Sequence, residues 1–464
     1  MSPHKESILK SISRYTSSNI YQRFCGIINV FIKPKLLTPE LYGLWNLLSI
    51  FITYATYLHL GTRNSMFYLL PFYKARKDRQ RCKIIESTTY YGSLFMTLPV
   101  VACIIVYAIW ADISLVFRIG LITVCIIVLL NWYFDYYFNY LAAYKDFKIV
   151  SFANYKRASI AVVLNVALIY FFHIYGLYMA SVITLVIIVI YLRKNAPVTI
   201  EAGFHLKEFI HLVKKGFPIM IYNITNELVS TSDKLVVAVF LDHKQLGFYA
   251  ITGLVFNFLM QIPIDARDVV EPHLMESFDE NKKEEALFDF FFKPLAYTAY
   301  FMPFLIGGAF FTMPIFVEIV LPKYIPGIIP TQIVIVGCYF FSLAYAVRGI
   351  IVANNWQIKA AIIITVVLIL NVMLCIFAIW LGFGINGVSV ASDISFLVLL
   401  LSLVAFVKNK YHYTFKHLHK HMKDFYWTLP AMCIAIGTPI IAFSTITVNK
   451  YVELLLSLLF FYAL

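Results

Sequence analysis

Fourteen apolar stretches long enough to cross a bilayer follow one another along this chain, and that succession leaves few folds open to it. At about 20 apolar residues per crossing they lie near residues 8–32, 41–62, 84–109, 113–141, 151–173, 175–192, 216–241, 246–274, 290–317, 328–353, 358–381, 386–407, 425–445 and 448–464. Hydrocarbon offers no water to backbone polar groups, so each stretch must satisfy its own as a helix. Composition agrees: 61% of residues are hydrophobic and 14% charged, where a soluble domain carries about 25% charged residues. The expected fold is an all-α polytopic membrane protein with about 14 transmembrane helices.

The connections are short, which leaves no room for a soluble catalytic domain. The longest are basic, from Tyr73 to Lys83 and from Lys408 to Lys423. The net charge of +13 is therefore read as topology rather than nucleic-acid binding. Most Lys and Arg fall in loops on one side, and the positive-inside rule makes that side, with both termini, cytoplasmic. Trp45, Trp110, Trp356, Trp380 and Trp427 fall near span ends as an interfacial belt, and Trp132 lies inside a span. The first apolar stretch is broken by Ser13, Arg14, Thr16, Ser17 and Ser18, so no cleavable signal is expected. Seven scattered cysteines lack CxxC spacing, and neither a disulfide framework nor a metal or cofactor is expected.

The chain also matches itself. Laying Tyr42-Gly43-Leu44-Trp45 over Leu246-Gly247-Phe248-Tyr249 puts Asn19 on Asn223 and Arg63 on Arg267. A shift by an even number of helices preserves orientation, so the expectation is two parallel-repeat six-helix lobes around a central cavity, plus two C-terminal helices. The expected lobes are residues 1–195 and 196–408, with the pair in 409–464. Four cations, Arg23, Arg63, Lys234 and Arg267, interrupt the first two spans of each lobe. A central Arg or Lys costs about 2.5–3.5 kcal/mol in a span, so each marks a candidate site. Asn19 and Gln22 near Arg23, and Asn223 and Asn226 before Lys234, add hydrogen-bonding groups, making these eight the candidate substrate-binding residues. The acidic residues Glu227, Asp233, Asp135 and Asp393 are candidates for ion coupling, and the competing reading makes buried acids structural partners of the cations.

The junction Leu37-Thr38-Pro39-Glu40-Leu41-Tyr42-Gly43-Leu44-Trp45, the basic loop after Pro71, and the stretch from Gly216-Phe217-Pro218 through Ser232-Asp233-Lys234-Leu235 to Leu246-Gly247-Phe248-Tyr249 occur in order with Val320-Leu321-Pro322-Lys323-Tyr324. In these the chain resembles the polysaccharide-flippase (Wzx-type) branch of the multidrug, oligosaccharidyl-lipid and polysaccharide exporter superfamily. The resemblance implies flipping of an undecaprenyl-diphosphate-linked oligosaccharide from the cytoplasmic to the periplasmic leaflet by alternating access, for surface polysaccharide such as O-antigen, capsule or exopolysaccharide. It implies a bacterial inner-membrane location, membrane lipid around the chain, and polymerase and chain-length machinery as partners. A guanidinium suits a diphosphate through its planar fork, so Arg23, Arg63 and Arg267 are the leading headgroup ligands, with Lys234 weakened by adjacent Asp233.

No GxxxxGK[ST] loop is present, so energy must come from an ion gradient, the membrane potential or substrate mass action. Rival readings are a peptidoglycan-precursor flippase or multidrug exporter of the same fold and, from another class, a polysaccharide polymerase or ligase. A multidrug exporter would want acids in the first span, where this chain has Arg14 and Arg23. A polymerase would want a large outer loop, which is missing. His412, His417, His419 and His421 sit in a lysine-rich loop read as a membrane-surface face, and Glu276 to Asp289 as a solvated linker.

Overall fold

The computed structural model describes residues 3–144, 146–196, 200–201, 203–276, 291–411, 427–444 and 450–463. The side chains of 3–13, 15–16, 265–276, 429, 440–444, 450–453 and 463 lie outside that description. The described residues form helices and no strand. In order these are α1 (Pro3–Leu36), α2 (Pro39–Ala55), α3 (Thr62–Ala75), α4 (Arg79–Trp110), α5 (Leu115–Ala143), α6 (Phe147–Asn195), α7 (Leu206–Phe240) and α8 (His243–Glu276). There follow α9 (Lys293–Val320), a 3-10 turn (Pro322–Gly327), α10 (Ile328–Ala346), α11 (Arg348–Ala353), α12 (Gln357–Trp380), α13 (Gly384–Lys410), α14 (Thr428–Ser444) and α15 (Lys450–Ala463).

The described residues of the fourteen stretches fall on helix, with two breaks inside them. The second stretch ends α2, passes through turns and starts α3. The tenth covers α10 and α11. Among the described residues, eight helical segments meet length and hydropathy requirements for a crossing by themselves. One of these, α6, holds two crossings. Its 49 residues would measure about 73 Å as one rod, more than twice the hydrocarbon thickness. At His173 the backbone takes φ 51°, ψ −126° and the helix folds back: the Lys156 ammonium lies 3.9 Å from the centre of the Tyr191 ring, although a continuous helix would part them by about 50 Å. A side chain at Gly176 would overlap the Leu168 carbonyl, so only glycine lets the two limbs come this close.

The chain divides into two compact units, Met1–Ile224 and Thr225–Leu464, with the division inside α7. The expected boundary at 195/196 and this one differ by residues 196–224, whose described members are tied to the first unit. Glu208 pairs with Arg81 at 2.7 Å, Ser65 donates to the Leu212 carbonyl, and the backbones of Gly61 and Gly216 touch so closely that a side chain at either would overlap the other.

In the first unit α1 packs along α6, and α4 packs on α5. The α1–α6 seam is polar: Ser17 bonds Tyr155 at 2.7 Å, Asn154 donates to Asn19 at 3.2 Å, Tyr21 bonds Ser159 at 2.8 Å and Asn165 donates to Asn29 at 2.8 Å. Such bonds hold helices together where hydrophobic burial offers little net drive. In the second unit α8 and α9 pack on α10, α10 packs on α13, and α12 packs on α13. Phe256, Phe341 and Phe396 of α8, α10 and α13 form a ring cluster with centroids 4.9–5.8 Å apart. The C-terminal helix docks on α9, where Gly307 and Gly308 leave room for Phe461 and Tyr462 and Tyr462 donates to the Phe304 carbonyl at 3.1 Å.

The two units share one kind of contact. Asn165, on the first limb of α6, bonds α1 through Asn29, and Asn371 of α12 accepts from Ser232 of α7 at 3.0 Å. Each unit thus ties its first crossing to its fifth through a buried asparagine. Trp110, Trp380 and Trp427 stand at helix ends with 75% or more of their surface exposed, as interfacial anchors do, whereas Trp132 is buried and donates to Ser93 at 2.9 Å. The segments 277–290 and 412–426, including the four loop histidines, lie outside the described residues.

Candidate functional site

Three groups of charged side chains within the described spans hold the candidate acids, each built by local backbone features. In the first unit, Gly61 in the left-handed region (φ 85°) caps α3, its N–H donating to His59 Nδ1 at 2.9 Å. Two residues later, Arg63 is only 5% exposed. Its guanidinium donates to Asp135 Oδ2 at 3.1 Å and to the Trp132 carbonyl at 3.1 Å, and its Nε has no acceptor. Arg157 of α6, stacked 4.6 Å from the centre of the Phe134 ring, acts on the same carboxylate electrostatically. Two guanidinium groups share one acid, leaving one positive charge in excess. The sequence pairs neither Arg63 nor Asp135 with the other, because 72 residues separate them. Arg157 went unselected beside Lys156 at the edge of a span, although the rule that a charge inside a span marks a site applies to it equally.

The other cations are placed differently. Arg23 is on the exposed side of α1, away from the seam that holds Asn19 against Asn154. Gln22 and Asn223 are half-buried, and the Asn223 side-chain oxygen is buried without a donor. Arg267 lies on α8, and its side chain is outside the described residues. Arg63 is therefore engaged by protein groups in this conformation, and Arg23 is the first-unit candidate on a surface.

In the second unit, the Lys234 side chain fills the space beside Gly253 of α8: a methyl group there would sit 2.6 Å from its Nζ. Its charge acts on both Asp233 and Glu227. Asp233, 6% exposed, accepts from the Tyr249 hydroxyl at 2.6 Å and from the Lys234 N–H at 2.7 Å. Half-buried Asn226 and Glu227 lie one to two turns earlier on α7.

Asp393 forms the third cluster nearly alone. On α13 its carboxylate presses against Gly337 of α10, and its Oδ1 is buried without a hydrogen-bond partner. It lines a groove of about 410 Å³ with Phe310, Ile329, Gln332, Ile333 and Val336. Of the four acids proposed for ion coupling, three face cations and Asp393 does not.

The described chain is all-helical and multi-pass, with charged side chains gathered inside its spans. Solved structures share this fold. It is similar to lipid II flippase MurJ in an inward closed conformation, with TM-score 0.71, 16% identity and 97% of each chain covered. It is similar to a multidrug resistance MATE family transporter of the MOP superfamily in an inward-facing conformation, with TM-score 0.60, 11% identity, and 84% of this chain and 94% of that one covered. A MOP superfamily transporter from Pyrococcus furiosus gives TM-score 0.59 at 12% identity, covering 86% and 94%. At these identities the likeness is one of fold.

Residues 34–324 match the model of the polysaccharide biosynthesis protein family, and the chain belongs to that family. A search of curated protein sequences finds no match. The Wzx-type resemblance and the all-α transporter fold expected from sequence accord with the family and with this fold.

Proposed function

We propose that this protein flips an undecaprenyl-diphosphate-linked oligosaccharide from the cytoplasmic to the periplasmic leaflet by alternating access, as a step in making O-antigen, capsule or exopolysaccharide. Membership of the polysaccharide biosynthesis family carries the reading. The fold shared with flippases and exporters supports it, as do a cation on the exposed side of α1 and the excess positive charge at Arg63 and Arg157. In this reading the protein works in the bacterial inner membrane with both termini cytoplasmic, and hands its cargo to polymerase and chain-length machinery. Arg23 and Arg267 meet the diphosphate, a group that guanidinium binds in bidentate fashion. Asn19, Gln22, Asn223 and Asn226 line the polar path, and Arg63 and Lys234 join when conformational change loosens their acidic partners.

The test is complementation of a strain lacking its own flippase, with Arg23→Ala, Arg63→Ala, Lys234→Ala and Arg267→Ala scored for surface polymer and membrane abundance. Loss of polymer at normal abundance for Arg23→Ala and Arg267→Ala is expected. Full activity of both variants would refute the proposed ligands. The likeness to MurJ over 97% of the chain favours a second reading, transport of the peptidoglycan precursor. Rescue of a strain depleted of its lipid II flippase, with no rescue of polysaccharide export, would replace the first reading by the second.

A further inference from the structure

The groove in the second unit is formed by α9, α10 and α13. Ile329, Gln332, Ile333 and Val336 occupy the first three turns of α10, immediately after the 3-10 turn Pro322–Gly327. At 1.5 Å per residue the groove descends about 10–12 Å along α10, from Ile329, which is 59% exposed, to the level of Gly337. Asp393 stands at that depth, against the Gly337 backbone. Four of the six lining residues are apolar. Of the two polar ones, Asp393 and Gln332, Gln332 donates its amide N–H to the Phe310 carbonyl at 3.3 Å and keeps its amide oxygen as an acceptor.

Two features set Asp393 apart from Asp135, Asp233 and Glu227, the other acids proposed for ion coupling. Asp135 has Arg63 at 3.1 Å, Asp233 has the Tyr249 hydroxyl and two interactions with Lys234, and Glu227 faces Lys234. Among the described residues no cation pairs with Asp393; its Oδ1 is buried without a hydrogen bond of good geometry, and the one donor that acts on the carboxylate is the Gly337 backbone N–H. The titratable groups that act on it are another acid, Asp233 of α7, and the Cys338 thiol of α10. From α9 the groove receives Phe310, and Cys375 of α12 acts on Asp233. None of these neighbours supplies positive charge. An ionised carboxylate in such surroundings is expensive, and its neutral form is not.

We propose that Asp393 is a proton-binding site of the transport cycle, loaded through this groove from the end of the second unit that carries residues 322–327. The carboxylate takes a proton from water in the groove to become a neutral acid, and the same proton returns to water when the conformation changes. A sodium site would need five or six oxygen ligands around the ion; the groove lining offers the Asp393 carboxylate and the Gln332 amide, with hydrocarbon elsewhere. A proton needs one carboxylate oxygen. The inference deepens the flippase reading by naming what drives it, and its site can be tested without the lipid-linked substrate.

The experiment uses the purified full-length protein in liposomes, treated with dicyclohexylcarbodiimide, which reacts with protonated carboxyl groups in apolar surroundings, followed by peptide mass spectrometry. Asp393 is expected to carry the adduct in preference to Asp135, Asp233 and Glu227, with labelling falling as pH rises and lost in Asp393→Asn. Asp393→Glu, which keeps the acid, should still label, and monodisperse elution of both variants controls for folding. No adduct at Asp393 at any pH, or equal labelling of Asp135, overturns the proposal. Protection by sodium at constant pH also overturns it, because it would make the site one for a metal cation. In the same liposomes, uptake of undecaprenyl-diphosphate oligosaccharide driven by a pH gradient should lose its gradient dependence in Asp393→Asn. Transport that keeps its gradient dependence in that variant refutes the coupling role. Labelling at Asp393 without any transport of this lipid leaves the proton site standing and removes the substrate reading.

Discussion

The two units deal with the charge buried in their helices in opposite ways. In the first, the deepest cation is matched: Arg63 bonds Asp135 and the Trp132 carbonyl, and Arg157 adds a second positive charge to the same acid. In the second, Lys234 is shared between Asp233 and Glu227, and Asp393 is left without a cation, its Oδ1 buried and unpaired. The first unit thus carries a surplus of positive charge at its cluster, the second a surplus of negative. Repetition of a helical plan does not repeat its electrostatics. The asparagine clamps at Asn165 and Asn371 persist in both units because they hold helices together, whereas the charges have diverged between them.

The contrast is sharpest if Asp135 and Asp393 are each removed. Asp135→Ala leaves Arg63 and Arg157 facing each other without a counter-ion, and losing one partner of a buried pair costs about 3 kcal/mol or more. Thermal unfolding in detergent should show a clear fall in Tm, with much of it recovered in the double variant Arg63→Met/Asp135→Leu. Asp393→Leu removes an unpaired acid from apolar surroundings and should leave Tm unchanged or raise it. Equal losses for the two single variants would mean that both acids are structural.

A smaller effect probes the contact between the same two helices in each unit. In the first, Gly120 of α5 faces the Tyr178 hydroxyl, which would lie 2.7 Å from an added methyl carbon. In the second, Gly337 of α10 faces the Asp393 carboxylate. Overpacking costs about 1–3 kcal/mol, so Gly120→Ala and Gly337→Ala should each lower Tm. Only Gly337→Ala should also change carbodiimide labelling of Asp393, by pushing the carboxylate out of its seat.

The smallest expected change concerns what the units share. Replacing Asn165 or Asn371 by Leu removes one interhelical hydrogen bond apiece, worth about 0.6–2 kcal/mol within a membrane. The two variants should lose similar stability. A marked inequality, read from Tm or from urea midpoints, would show that the clamps are no longer equivalent.

Much of the architecture could be read from apolar length. The described residues of the fourteen stretches lie on helix but for the two breaks within them, and the gap at residue 174 between the fifth and sixth falls beside His173, where α6 folds back. Gly176 is the local reason, since its missing side chain lets the limbs meet at Leu168. The break between α2 and α3 was not legible: the apolar run continues to residue 62, whereas α2 ends at Ala55 and turns lead to Gly61, whose backbone meets that of Gly216 far along the chain. The site was legible only as residue types. Arg63 and Asp135 were each selected for being charged inside a span, but selection could not say that they touch, and Arg157 was hidden by its place beside Lys156.

What the sequence determined by itself was the membrane-spanning helical class, because hydrocarbon forces any apolar run of sufficient length to close its own backbone hydrogen bonds. It also determined which side chains were costly enough to need a reason. Only the tertiary structure decided which of those had partners. Partnership depends on distances of about 3 Å between helices that are remote in the chain, and no periodicity within a single helix encodes them. That is why Arg63 and Asp393, equally conspicuous as charges in apolar spans, prove to be opposites: one closed into an ion pair, the other open to a groove.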